Sequence, residues 1–167
     1  LVREFSVGSE TEGCTVDDEL RRFYITEQTV GLWRYGAEPE NGNTRYQVDL
    51  PEPRGKIRTE LEGVTLYSAA DGKGYVIAPD QEDDTYLVYE RGGDNEFVGR
   101  FSIGENDGID RVNEGSGVGV VNVPLGTDFP EGLFITNDDV NSEPNGNNNF
   151  KFVSWAEIAS ALDLVVD

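Results

Sequence analysis

Thirty-three aspartates and glutamates stand against 13 lysines and arginines, and the chain has no histidine. Any chemistry here must therefore run on carboxylates, amides and hydroxyls. Without histidine, serine–histidine triads, histidine phosphatases and most zinc sites are excluded. The one cysteine, Cys14, cannot close an internal disulfide. A cysteine-phosphatase loop needs Cys, five residues, then Arg, but Leu20 holds that place and Arg21 comes one position late. Cys14 is expected to be a small core residue. What remains is water activated by carboxylates or by a hard divalent cation, whose preferred ligands are carboxylate oxygens.

The formal charge of −20 at pH 7 acts in the same direction. So acidic a surface repels phosphate backbones and anionic lipid, which excludes nucleic acid and membrane as partners. For many of these charges a solvated acidic face or salt adaptation remains an equal explanation. Apolar residues make up 37% and aromatics 10% of the 167 residues, enough for a packed core. With a mean hydropathy of −0.49 and no run of membrane-spanning length, a soluble globular protein is expected.

The carboxylates also recur with a period. Glu12-Gly13, Glu62-Gly63 and Glu114-Gly115 follow one another after 50 and then 52 residues. Each pair opens a similar series of a strand, a turn, a strand, a polar corner and a strand. The first unit runs through Asp17-Asp18-Glu19 and Arg22–Ile25 to Gln28 and Gly31–Tyr35. The second runs through Asp71–Gly74 and Tyr75–Ala78 to Gln81 and Tyr86–Tyr89. The third has Gly117–Val123, Leu133–Ile135, Asn137–Asp139 and Phe150–Val153.

One further strand lies in each gap, Arg45–Leu50 and Glu96–Ile103, and Leu1–Val7 is expected to be its counterpart before the first unit. Four short antiparallel strands per roughly 50 residues is the signature of propeller blades. A β-sandwich would also give short strands, but not the recurring Glu-Gly and polar corner. Ser154-Trp155-Ala156-Glu157 matches a capping box, so a short helix is expected from about Ala156. Asn141–Asn149 is a loop. Trp33, Tyr35, Tyr75, Tyr89 and Trp155 are expected to pack between sheets, and Asp17, Asp18, Asp71, Asp83 and Asp84 to form turns.

Longer stretches are more specific. Thr11–Leu20, Phe23–Glu27, Gly31–Pro39, Leu61–Tyr67, Ala69–Tyr75, Tyr86–Arg91, Gly132–Thr136 and Asn149–Trp155 together resemble the later blades of β-propeller phytases, calcium-dependent 3-phytases. The resemblance covers nearly the whole chain. It implies an all-β fold of about three four-stranded blades, half of a six-bladed ring, plus a C-terminal helix, with 1–167 as a single partial domain. It also implies calcium-dependent hydrolysis of phosphomonoesters of phytate (myo-inositol hexakisphosphate) or other inositol phosphates, and secretion or a periplasmic location. Three blades leave a ring open, so an upstream half or self-association is expected to close it.

Carried over by position, Glu12, Glu60 and Glu62 are the candidate catalytic residues. The implied calcium ligands are Glu12, Gln28, Glu60, Glu62, Gln81, Asp107, Glu114 and Asn141. Glu60 stands where the family usually has Asp, Gln28 replaces a family Glu, and Glu114 falls where the family has Asp. Around Glu114 the family's following Gly-Ile-Asp is here Gly115-Ser-Gly117. The alternative role for the Glu-Gly glutamates is to cap the first strand of each blade. The family's phosphate-gripping Lys and Arg residues lie mainly upstream of the matched part, so this chain alone is expected to be weak or inactive. A non-catalytic module that binds calcium and phosphate esters is the competing possibility.

Overall fold

The computed structural model describes residues 1–141 and 146–167. Three antiparallel sheets follow one another along the chain. The first is β1 (Thr11–Asp17), β2 (Arg22–Glu27), β3 (Gly31–Gly36) and β4 (Arg45–Asp49), paired in chain order. The second repeats that order with β5 (Thr65–Ser68), β6 (Gly74–Asp80), β7 (Thr85–Glu90) and β8 (Phe97–Phe101). The third holds β9 (Val118–Val121), β10 (Leu133–Asp138) and β11 (Asn149–Ser154), with β10 in the middle, and α1 (Trp155–Leu162) follows. The first strands of the sheets are neighbours, β5 lying between β1 and β9. Sheets standing side by side with their first strands adjacent are arranged as consecutive propeller blades.

Side-chain alternation makes the middle sheet a two-sided element. Along β6, Val76 and Ala78 join Tyr24 and Leu32 of the first sheet and Leu61, Leu87 and Tyr89 in one core. Tyr75 and Ile77 point the other way, into a second core with Phe134, Trp155 and Ile158. Trp155 stacks on Tyr67 with ring centroids 4.0 Å apart. Of the aromatic residues expected between sheets, Tyr75, Tyr89 and Trp155 are buried there, whereas Trp33 and Tyr35 are buried on the other side of the first sheet, against Arg45 and Phe5.

Several expectations are corrected. Among the described residues the third sheet has three strands, not four. Leu1–Val7 forms no strand and pairs with none of the sheets; Arg3 instead donates to the carbonyls of Gly36 and Glu38, and Phe5 packs on Tyr35. Cys14 is exposed, not core, because β1 turns Cys14 and Val16 to the side away from the second sheet. The helix begins at Trp155, and the Ser154 side chain makes no capping bond. Of the Asn141–Asn149 loop, 142–145 lie outside the described residues and Asn149 already belongs to β11. No helix among the described residues is long and apolar enough to cross a membrane.

Asp17 does form a turn, accepting the Leu20 amide at 2.9 Å, but it is also buried. Arg91, just after β7, reaches it with two bonds of 2.6 and 2.7 Å. Burial alone would raise the Asp17 carboxyl; the Arg91 guanidinium and the Leu20 amide together outweigh it and hold it below the ordinary value. Its contribution to stability is thus complete above the unfolded value of ~3.9 and is lost as pH falls through the lower folded value. Replacing Arg91 with Met would strand a buried carboxylate. Arg91→Met is expected to lower stability by roughly 3–5 kcal/mol near neutral pH, read as a lower urea midpoint, with the loss shrinking in acid.

Candidate functional site

The mouth of the site is made by the segments leading into β1, β5 and β9. Their correspondence follows from strand register. Thr11 pairs with Glu27, and Leu61 pairs with Asp80, so Glu12 and Glu62 are equivalent. Thr15, Thr65 and Gly119 face Tyr24, Ile77 and Ile135, each three residues before the acid that ends the second strand. Counting back three gives Glu12, Glu62 and Ser116. The third Glu-Gly pair is therefore out of phase. The three lead-ins read Glu10-Thr-Glu12-Gly13, Glu60-Leu-Glu62-Gly63 and Glu114-Gly-Ser116-Gly117.

Backbone contacts draw these segments together. A Cβ at Gly13 would lie 2.7 Å from the Gly63 Cα, and one at Gly63 would lie 2.7 Å from the Ser116 carbonyl oxygen. Glycine is what allows this approach. The Gly63 amide donates to Ser116 O at 3.0 Å. Thr26, on β2, accepts the Gly13 amide at 2.8 Å while its hydroxyl donates to the carbonyl of Glu62 in the next sheet. The corner residues join the same network: Gln28 N donates to Glu10 O, Leu61 N to Gln28 O, and Gln81 N to Glu60 O, all within 2.9–3.0 Å.

Like charges are thereby forced into one place. The Glu62 carboxyl is pushed above its ordinary value, first by burial and then by the negative charge of Glu12, with Glu60 and Glu10 adding to it. The Gln28 amide opposes this by donating to Glu62. Gln81 commits its Nε2 to Ser116 Oγ at 2.9 Å. Both glutamines thus engage their NH2 groups and have the amide oxygen left to offer. The donor set is all oxygen, four carboxylates and two amides, which suits a hard divalent cation. Among the described residues, no three acids yet converge tightly enough to enclose a metal by themselves.

Five of the eight implied ligands, Glu12, Gln28, Glu60, Glu62 and Gln81, are brought to this mouth. The other three have their own surroundings. Asp107 lies in the exposed turn Asn106–Ile109, in left-handed backbone. Glu114 is exposed, with its amide bonded to Asp84 Oδ1 at 2.8 Å, and it aligns with Glu10 and Glu60 rather than with Glu62. Asn141 is buried just after β10, its Oδ1 without a hydrogen-bond partner among the described residues.

Sequence reasoning missed Glu10, Ser116 and Thr26. The repeated Glu-x-Glu of 10–12 and 60–62 could have revealed Glu10, whereas nothing local marks Thr26. Relieving the crowding at its largest charge should show in the titration. Glu12→Gln is expected to bring the Glu62 carboxyl down toward the ordinary glutamate value, followed by carbon-13 NMR of the carboxyl carbon.

Comparison with known proteins gives this geometry its relatives. The sequence profile of the phytase family, described as Phytase, matches residues 1–167. The chain is also 38% identical over 169 residues to the 3-phytase of Bacillus subtilis (strain 168), a match covering 99% of this chain and 44% of that protein. This chain therefore spans less than half the length of that relative. With the profile matching along its full length and the three sheets arranged as blades, the chain belongs to the phytase family.

Proposed function

We propose that this chain supplies the carboxylate, calcium-holding side of a site that hydrolyses phosphomonoesters of phytate or related inositol phosphates. The observation that carries it is the close approach of the Gly13, Gly63 and Ser116 backbones, which crowds Glu12, Glu60 and Glu10 around the Glu62 carboxyl and raises it. Phytate is a dense anion, and a mouth of this sign repels it unless cations lie between them. Glu12, Glu60 and Glu62, with the amide oxygens of Gln28 and Gln81, are the residues that would hold calcium. Calcium there would supply positive charge for the phosphate oxygens and Lewis acidity for water.

The chain's own residues orient and select. Gln28 steadies Glu62 by donating to it, and Gln81 is fixed by Ser116. Glu12, Glu60 and Glu62 are the candidate catalytic groups, and burial and the neighbouring charges raise the Glu62 carboxyl above its ordinary value. Protonation and calcium compete for it, so the site is suited to neutral or alkaline conditions rather than acid. We place the protein outside the cytoplasm, by secretion or in the periplasm, where calcium is plentiful. Ring closure by an upstream half or by a second copy completes the proposal.

A second reading has one specific observation in its favour. Ser116 occupies the position of Glu12 and Glu62, so the third lead-in brings no carboxylate at that position. That thinning favours a module that binds calcium and phosphate esters without turning them over.

Phosphate release from calcium phytate, with calcium or with excess EDTA, separates the readings. Release that EDTA abolishes is the expected result for a working site. Calcium-dependent phytate binding without release, from the chain joined to an upstream half as well as from the chain alone, would assign it to the second reading. A folded chain that neither binds nor releases would contradict both.

A further inference from the structure

Each second strand ends in an acid that the function above does not use. Glu27, Asp80 and Asp138 are 3%, 0% and 0% exposed. Each has a cation from the outer part of its own sheet: Arg45 at 2.9 Å from Glu27, Arg100 at 3.4 Å from Asp80, and Lys151 at 3.0 Å from Asp138. Burying an ion pair is a weak source of stability in itself, because desolvation consumes most of the attraction. Its recurrence in all three sheets therefore calls for another reason.

The reason lies on the remaining oxygens. Asp80 Oδ1 accepts the Thr59 amide at 2.8 Å and the Thr59 hydroxyl at 2.7 Å, while Oδ2 accepts the Arg58 amide at 2.8 Å. Glu27 Oε1 accepts the Ser9 hydroxyl at 2.7 Å. Asp138 Oδ1 accepts the Asn113 amide at 2.9 Å. Ser9, Thr59 and Asn113 each stand three residues before the position that faces the mouth, which is Glu12, Glu62 or Ser116. In each sheet a buried, charge-balanced acid thus grips the lead-in at the same point of the repeat. Bonds to a charged acceptor are the stronger kind, and a grip this close fixes where the following carboxylates stand.

We propose that these buried acids are positioning residues for the mouth, with Asp80, acting through Thr59, setting the placement of Glu60 and Glu62. The calcium part of the inference rests on the function proposed above, whereas the placement itself does not. The arrangement is the familiar one in which outer partners orient the groups that meet the ligand.

Four variants test it: Thr59→Val removes only the hydroxyl anchor, Thr59→Ser keeps it, and Asp80→Asn weakens the whole grip. Asp17→Asn, at the far end of β1, damages a buried ion pair remote from the mouth and reports ordinary destabilisation. The readouts are the amide shifts of residues 60–63 and calcium affinity by titration calorimetry. Thr59→Val and Asp80→Asn are expected to move those amides and to weaken calcium binding by about tenfold or more. Thr59→Ser should restore both, and Asp17→Asn should lower only the unfolding midpoint. Unmoved amides in Thr59→Val and Asp80→Asn would overturn the inference, as would an equal calcium loss in Asp17→Asn. If the unaltered chain binds no calcium, the proposed function fails, and the amide shifts alone decide the placement.

Discussion

The backbones of neighbouring blades touch at Gly13, Gly63 and Ser116, and the rest of the site follows from that closeness. A side chain at either glycine would collide with the next blade, so the lead-ins can meet only as bare backbone. Once they meet, the residues just before the glycines have no choice of company. Glu12 and Glu62 come together with Glu10 and Glu60, and the repulsion appears as the raised Glu62 carboxyl. A fold that sought only stability would not gather four like charges at one place. Two cores and a set of buried ion pairs hold this arrangement against its own electrostatics.

Those supports are divided by position. Towards the far end of β1, the Asp17–Arg91 pair ties the first sheet to the second. Along the body, Val76 and Ala78 face one core and Tyr75 and Ile77 the other, so the middle sheet transmits the spacing between its neighbours. At the mouth, Thr26 joins Gly13 to Glu62, and Glu27, Asp80 and Asp138 grip the lead-ins. Stability and site geometry are therefore carried by different groups, and a variant can lose one while keeping the other.

Much of the fold was legible because blades repeat a physical pattern. Short apolar strands such as Tyr75–Ala78, buried on both faces and separated by Asp- and Gly-rich turns, announce themselves through their composition and turn chemistry. The Glu-Gly repeat located the mouth in two blades. It misled in the third, because Glu114-Gly115 mimics the motif two residues ahead of the true position, and only strand register reveals Ser116. Cys14 was misjudged for a similar reason: its type suggests burial, but its side of β1 faces away from the second sheet. Leu1–Val7 has the alternation of a strand, yet a strand exists only where a ladder partner is offered. Thr26 and Asp80 were invisible, since their partners lie 36 and 21 residues away in sequence.

The central claim is that crowded carboxylates at the blade mouth form a cation site, and the Glu62 carboxyl reports on it directly. Its titration should be followed by carbon-13 NMR in the unaltered chain, without and then with saturating calcium. The account predicts a value above that of an ordinary glutamate without calcium, and a fall below it when calcium is added. A Glu62 titration that calcium leaves in place would contradict the account.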